Sequence, residues 1–209
     1  MSGKFPITRD RIRHHFHYDW WQYAILAAVA IFGWNLLYTM THYRSPEHLK
    51  VEWYFQGPAS DRTVALAEGL MEEVKAEQFP DMEEVAFNIV GMDQTYGDMQ
   101  IMVWMAAGQG DLYMLKEDSF KGYAAGDSFI DLQPYVDSGM LNVEGLNLKK
   151  GYVKSEETGE KKLFGIPADA LTGLKEYDIL PEGTVLAVTI NGGNIENTLK
   201  LLQHLLTLR

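Results

Sequence analysis

Polar side chains stand where the predicted strands of this 209-residue chain end, and their types suit hydrogen bonding to a solute. Carboxylates, amides and a guanidinium can bind the hydroxyl groups of a sugar-like molecule, and aromatic rings beside them can cover its apolar faces. The candidate ligand-binding residues are Trp53, Gln56, Asp61, Arg62, Asp93, Tyr96, Asp118 and Asp169. We therefore predict a binding surface for a polar solute at these strand ends.

Each of these residues also has a structural interpretation. Asp61, Asp93 and Asp118 stand at the starts of predicted helices, where a carboxylate can cap backbone N–H groups. Arg62 suits an exposed helix position, and Trp53 suits core packing within a strand. The prediction of a site therefore depends on the residues lying together, which the sequence alone does not establish.

The chain lacks the sequence patterns of common catalytic centres. It has no Gly-x-Ser-x-Gly elbow and no phosphate-binding Gly-x-x-x-x-Gly-Lys loop. Gly108-Gln109-Gly110 follows a predicted helix instead of a strand, so it does not match a dinucleotide-binding turn. We expect no enzyme activity and no cofactor.

A histidine cluster near the amino terminus has two interpretations. His14, His15 and His17 could bind a metal, but no cysteine accompanies them and they form a weak ligand set on their own. The alternative is an interfacial segment beside lipid headgroups, and we favour it. We expect no metal site.

The element that dominates the chain is an apolar run over residues 20–40, WWQYAILAAVAIFGWNLLYTM, which carries no charged residue. As a helix it would extend roughly 31 Å, about the thickness of a bilayer's hydrocarbon core. Tryptophan and tyrosine mark both of its ends, as in membrane-spanning helices. We predict an uncleaved transmembrane helix in contact with membrane lipid; a buried core helix and a cleaved signal peptide are the alternatives.

Charge sets the predicted orientation of this helix. Residues 1–19 carry Lys4, Arg9, Arg11 and Arg13, whereas only Arg44 and Lys50 follow the helix closely. Positive flanks favour the cytoplasmic side. We therefore expect residues 1–19 to form a cytoplasmic basic segment of a single-pass cell-membrane protein. Residues 41–49 would be a tether, and residues 50–209 an extracytoplasmic domain.

Composition limits the partners of that outer domain. The chain has a net charge of −11, and residues 1–40 contribute +2, which leaves −13 for the remainder. So acidic a domain argues against binding to nucleic acid. Because the chain contains no cysteine, the domain must be held together by its apolar core instead of by disulfides.

Periodicity predicts alternating strands and helices in the outer domain. Strands are predicted at 50–56, 84–90, 111–115 and 185–190, a hairpin at 152–156 and 161–166, and helices at 62–78, 95–107, 116–126, 133–138 and 195–208. Ser60 or Asp61 is the predicted cap of the first of these helices. The order predicts an α/β fold with a mostly parallel sheet covered by helices on both faces.

Three segments resemble the extracellular solute-binding proteins of ABC importers, the carbohydrate-type branch in particular. They are residues 106–139, AAGQGDLYMLKEDSFKGYAAGDSFIDLQPYVDSG, residues 161–169, KKLFGIPAD, and residues 185–206, VLAVTINGGNIENTLKLLQHLL. The order of these segments carries the resemblance. It implies a periplasmic-binding-protein-like lobe, a carbohydrate ligand and an ABC permease or another transporter subunit as partner.

The chain departs from that family in one important respect. Family members have two lobes that close around the ligand, whereas only residues 170–184 separate the second and third resembling segments. We therefore expect a single amino-terminal lobe, which buries less of a ligand and binds it more weakly. The two functional hypotheses are a membrane-anchored solute-binding module and a non-binding accessory subunit that docks on a transporter or another membrane partner.

Overall fold

The computed structural model describes residues 20–41, 45–91 and 94–209, with the side chains of all of these except 94 and 95. The predictions for residues 1–19, including His14, His15 and His17, and for Asp93 lie outside the described residues. The chain divides into two compact units, Met1–Arg44 and Ser45–Arg209.

Helix α1, Trp20–Thr41, accounts for the described part of the first unit. Its 22 residues include no charged side chain, and its apolar side chains are exposed on every side. By length and composition this helix can cross a membrane, and a signal sequence would meet the same criteria. The predicted helix is confirmed, and its insertion in a membrane stays a prediction.

The second unit alternates strands and helices in the predicted order. The strands are β1 Lys50–Gln56, β2 Glu84–Val90, β3 Leu112–Lys116, β4 Tyr152–Lys154, β5 Lys161–Leu163, β6 Ile166–Pro167 and β7 Thr184–Val188. The helices are α2 Asp61–Gln78, α3 Gln94–Ala106, α4 Glu117–Ala125, α5 Gln133–Asp137 and α6 Ile195–Leu205, with short 3-10 helices at Glu47–Leu49, Leu148–Gly151 and Thr172–Tyr177.

The described residues form a five-stranded sheet in the order β2-β1-β3-β7-β6 and a separate β4-β5 hairpin. Strand β1 pairs in parallel with β2 and β3, whereas β7 runs antiparallel to both β3 and β6. Four strands therefore share one direction, and the predicted α/β fold with a mostly parallel sheet is confirmed.

Side chains of β1 point alternately to two apolar layers. Val51, Trp53 and Phe55 pack on one face of the sheet with α2 and α6, whereas Tyr54 packs on the other face with α3 and α4. Burial on both faces requires helices on both sides, because exposed apolar strand residues would lose the hydrophobic stabilisation that the layers provide. The predicted helices on both faces of the sheet are confirmed.

Two boundaries differ most from the prediction. The predicted hairpin arm 161–166 divides, because β5 ends at Leu163 and Ile166 pairs with Leu186 of the main sheet. The last helix ends at Leu205 instead of continuing to residue 208. Of the two predicted caps for α2, the structure selects Ser60: its Oγ accepts from the Thr63 N–H, while the Thr63 Oγ1 accepts from the Ser60 N–H.

Candidate functional site

The carboxyl ends of four strands meet at one edge of the sheet, here called the carboxyl edge. It is formed by Gln56, Val90, Lys116 and Pro167, the last residues of β1, β2, β3 and β6. Strand β7 begins at the same edge, where Thr184 pairs with Lys116. Loops and helix starts that follow parallel strands converge at such an edge, which makes it the expected place for a ligand.

Gln56 ties three elements together at this edge. Its side chain is 2% exposed, its Oε1 accepts from the Lys116 N–H at 3.1 Å, and its Nε2 donates to Oδ1 of Asp98 at 3.2 Å. Both ends of the amide are therefore engaged between β3 and α3. Gln56 fixes the floor of the carboxyl edge and presents no exposed group to a solute.

Asp98 lies in the first turn and a half of α3 and binds α4. Ser119 Oγ donates to Asp98 Oδ1 at 2.8 Å, and the Tyr123 hydroxyl donates to the Asp98 backbone oxygen at 2.6 Å. Burial, together with the nearby Asp98 charge, raises the pKa of Tyr123 to about 12, so its hydroxyl stays a donor at neutral pH. These bonds hold the starts of the two helices in a fixed relation.

An open depression of about 300 Å³ lies between these helices, lined by Asp98, Asp118, Ser119, Gly122 and Tyr123. It offers carboxylate acceptors, a serine hydroxyl and the side of an aromatic ring. A Cβ added at Gly122 would meet no atom within 4 Å, so the glycine leaves space in the wall. Such a set suits hydrogen bonds to a polyhydroxylated solute.

A second polar group at the carboxyl edge is an ion-pair network. Lys150 Nζ lies 3.2 Å from Glu117 Oε2 and 3.3 Å from Asp169 Oδ2, and Asp169 Oδ1 accepts from the Gly183 N–H at 2.9 Å. Hydrogen bonds from Lys121 and Lys150 lower the pKa of Glu117. Because these side chains are partly exposed, the network contributes little stability, and it joins the starts of α4 and β7 to the end of β6.

The structure brings some predicted site residues together and separates others. Asp118 lines the depression, Gln56 binds its Asp98, and Asp169 lies in the neighbouring ion-pair network. Tyr96 is 74% exposed on the outer side of α3 and is not among the residues that line the depression.

The remaining predicted residues have structural placements. Trp53 is completely buried and packs edge-to-face against Phe87 at 4.9 Å, so it is a core residue that no solute can contact in this conformation. Asp61 and Arg62 are exposed in the first turn of α2. Trp53 and Arg62 therefore have the structural roles that the sequence also allowed, which are core packing and an exposed helix position. The cap of α2 is Ser60 instead of Asp61.

Sequence reasoning missed Asp98, Ser119, Tyr123 and Lys150. The first three lie one or two helical turns after a strand end, and the prediction considered mainly the residues directly following each strand. A signal was available, because the first turns of helices that follow parallel strands also face the carboxyl edge.

The opposite edge, here called the amino edge, holds a closed polar cluster. Asp111 is 5% exposed, and its Oδ2 accepts from the Glu52 N–H at 2.9 Å. Glu52 Oε2 accepts from the Gly110 N–H at 3.1 Å and lies 3.5 Å from Lys50 Nζ. Burial, reinforced by the charge of Glu52, raises the pKa of Asp111 to about 6. This cluster fastens the starts of β1 and β3.

Within the part of the chain that the structure describes, no group of three His, Cys, Asp or Glu side chains is arranged to hold a metal ion. The histidines considered as metal ligands in the sequence lie outside that part. The described geometry therefore offers hydrogen-bonding groups at the carboxyl edge and no assembled carboxylate or imidazole metal centre.

No protein-family model and no curated protein matches the chain. Among solved structures, it is similar to an extracellular solute-binding protein of family 1 from Alicyclobacillus acidocaldarius, with 16% identity and a TM-score of 0.44 over 60% of this chain and 29% of that one. It is also similar to a protein named CpMnBP1 with mannotriose bound, with 19% identity and a TM-score of 0.41 over 57% of this chain and 28% of that one.

A third similar structure is a de novo designed esterase, with 17% identity and a TM-score of 0.44 over 58% of this chain and 28% of that one. The chain thus spans less than a third of the length of each of these proteins. The family named from the sequence resemblance is present among them, and at these identities the likeness concerns the fold.

Proposed function

We propose that the chain is a membrane-anchored, extracytoplasmic module that binds a polar solute at the carboxyl edge of its sheet. The observation that supports this most directly is the open depression between α3 and α4, with Asp98 and Asp118 at its wall. In this proposal α1 anchors the chain with its amino terminus in the cytoplasm, and the domain serves ABC-type uptake together with a transporter subunit.

A carbohydrate is the solute class that suits the depression best. Carboxylates accept hydrogen bonds from neighbouring sugar hydroxyls, and Ser119 can donate or accept. The Tyr123 ring offers an apolar wall beside them. Because the depression covers one side of a solute and is open on the other, we expect weak affinity compared with a site enclosed on both sides.

Titration of the full-length chain in detergent micelles with mannotriose, maltotriose and other oligosaccharides tests the proposal. We expect a saturable calorimetric signal and a raised unfolding temperature with at least one of them. Asp118→Ala should weaken binding about tenfold by removing a hydrogen-bonded acceptor. Gly122→Leu should weaken it further by filling the depression, because the position has space for a side chain.

Asp81→Ala is the matched control, because Asp81 is an exposed aspartate outside the depression. It should bind like the unaltered chain. Absence of any saturable response across the panel, or equal binding by Asp118→Ala and the unaltered chain, would contradict the proposal. The first result would favour the accessory role.

A further inference from the structure

The carboxylates at the carboxyl edge fall into two groups that differ in their counter-ions. In the first group, Lys150 Nζ lies 3.2 Å from Glu117 Oε2 and 3.3 Å from Asp169 Oδ2. Lys121 Nζ lies 2.6 Å from Glu117 Oε1. A lysine at such a distance balances much of the charge of a carboxylate. Glu117 and Asp169 therefore have counter-ions within the chain itself.

Asp98 and Asp118, which line the depression, form the second group. Asp98 Oδ1 accepts from two neutral donors, Gln56 Nε2 at 3.2 Å and Ser119 Oγ at 2.8 Å. Asp118 is exposed. Among the residues that the structure describes, no lysine or arginine lies within ion-pair distance of either carboxylate. The depression thus has two carboxylates at its wall that lack a counter-ion within the described chain.

A capping role does not account for Asp118. It lies in the first turn of α4, where a carboxylate can accept hydrogen bonds from free backbone N–H groups. Within the described part of the chain, its side chain makes no such bond. The structural interpretation that the sequence allowed for Asp118 is therefore not the one that the structure shows, and its carboxylate oxygens are available to a solute.

The other side chains of the depression also act as acceptors. Ser119 Oγ gives its hydrogen to Asp98, so its remaining lone pairs accept from a solute. The Tyr123 hydroxyl gives its hydrogen to the Asp98 backbone oxygen at 2.6 Å, which leaves its ring to contact a solute. An aromatic ring attracts a cation that lies within about 6 Å of its centre. The wall therefore suits a solute that donates hydrogen bonds and carries positive charge.

We infer that the solute bound at the carboxyl edge is an amino sugar, whose ammonium group binds the carboxylates of the depression. The inference rests on the proposed function, since it names the class of carbohydrate for the same depression. An ammonium group has three donors and no acceptor, which matches a wall of acceptors. Its hydrogen bonds to a carboxylate are about twice as strong as those of a neutral hydroxyl. A neutral sugar would leave both carboxylates without a counter-ion.

The net charge of the domain acts in the same direction. Residues 41–209 carry a net charge of −13, which attracts cationic solutes to the whole surface. This attraction is not confined to the depression. A test must therefore separate the two carboxylates of the depression from the charge of the domain as a whole.

Calorimetric titration of the full-length chain in non-ionic detergent micelles compares four ligands. They are a glucosamine trimer, its N-acetylated form, the neutral trisaccharide cellotriose, and putrescine, which has ammonium groups but no sugar ring. We expect the glucosamine trimer to bind about tenfold more tightly than each of the other three, because it alone joins a positive charge to sugar hydroxyls.

Asp118→Asn keeps the size of the side chain and removes its charge. It should weaken binding of the glucosamine trimer about tenfold and leave the affinity for cellotriose within about twofold of that of the unaltered chain. Asp81→Asn is the control, because it removes the same charge from an exposed position outside the depression. It should bind the glucosamine trimer like the unaltered chain.

The outcomes separate this inference from the proposed function. If the N-acetylated trimer or cellotriose binds as tightly as the glucosamine trimer, the inference is overturned and the proposed function stands. Equal binding of putrescine, or equal losses in Asp118→Asn and Asp81→Asn, would also overturn the inference, because charge alone would then explain the affinity. If no trisaccharide binds, both the inference and the proposed function are contradicted.

Discussion

The two edges of the sheet use the same side-chain chemistry in different surroundings. At the amino edge, the carboxylate of Asp111 is buried beneath the Gly192–Gly193 turn and accepts from the Glu52 N–H. At the carboxyl edge, Asp98 accepts from Gln56 and Ser119, and it borders a depression that is open to solvent. The carboxylate that a turn covers holds two strands together, whereas the carboxylate at the carboxyl edge lines an open surface.

The largest expected effect is a pH dependence of the free energy of unfolding, which arises because burial raises the pKa of Asp111. Its pKa is raised from 3.8 to about 6, so between these values the folded chain keeps a proton that the unfolded chain has lost. The free energy of unfolding should therefore fall by about 2 kcal/mol as the pH rises from about 4 to about 6, and by about 3 kcal/mol over the whole titration. Urea unfolding of the full-length chain followed by tryptophan fluorescence measures this slope.

Asp111→Asn should abolish that part of the slope, since the amide does not titrate. Asp118, an exposed carboxylate of the carboxyl edge, serves as the comparison: Asp118→Asn should leave the slope intact. If Asp111→Asn keeps the same pH dependence of the free energy of unfolding, that dependence arises from another group in the domain.

The turn that covers the amino edge predicts a second, smaller effect on the free energy of unfolding, at Gly192. A Cβ there would lie 2.9 Å from Asp111 Oδ1 and 3.2 Å from Thr189 Oγ1, both in buried side chains. Gly192→Ala should therefore lower the free energy of unfolding by about 1–3 kcal/mol through overpacking. An unchanged midpoint in urea would show that the turn over Asp111 is looser than the structure indicates.

A further prediction concerns Gln56, the buried residue of the carboxyl edge. Gln56→Ala removes the acceptor of the Lys116 N–H and should lower the free energy of unfolding by about 1–2 kcal/mol. Gln78→Ala, at an exposed glutamine of α2, should change it by less than about 0.5 kcal/mol. Equal effects of the two variants would mean that the Gln56 bridge does not hold the edge.

The smallest expected effect is a stabilising one at the open edge. Gly122 lies within α4, and a Cβ there meets no atom within 4 Å. Gly122→Ala should raise the free energy of unfolding by about 0.5–1 kcal/mol, because alanine has the higher helix propensity. Opposite effects of Gly122→Ala and Gly192→Ala on the free energy of unfolding would show that the carboxyl edge has space for a side chain and the amino edge does not. Destabilisation by Gly122→Ala would contradict this difference between the edges.

Local sequence patterns predicted most of the fold. The apolar run from Trp20 predicts α1, and the β-branched and aromatic residues of 50–56 predict β1, because such side chains pack well on a covered sheet. Helical periodicity likewise predicts α2 and α6. The division of 161–166 between a hairpin and the main sheet was not predicted, because pairing with Leu186 depends on a strand about twenty residues further along.

The candidate site was predicted only in part. Asp118 was found because it closely follows a strand, whereas Asp98 and Tyr123 were missed because each lies further along its helix. Trp53 was proposed as a contact residue since aromatic residues suit sugar rings, and its complete burial shows that core packing was the stronger constraint.

The sequence by itself determined the apolar helix, the order of strands and helices, the acidic character of the domain and the absence of disulfides, because these follow from composition and short-range periodicity. Tertiary structure alone decided the antiparallel direction of β7, the Gln56–Asp98–Ser119 contacts and the raised pKa of Asp111. The physical reason is that each of these depends on groups far apart in the chain, whose distances and shielding from water are set only when the sheet and its helices pack together.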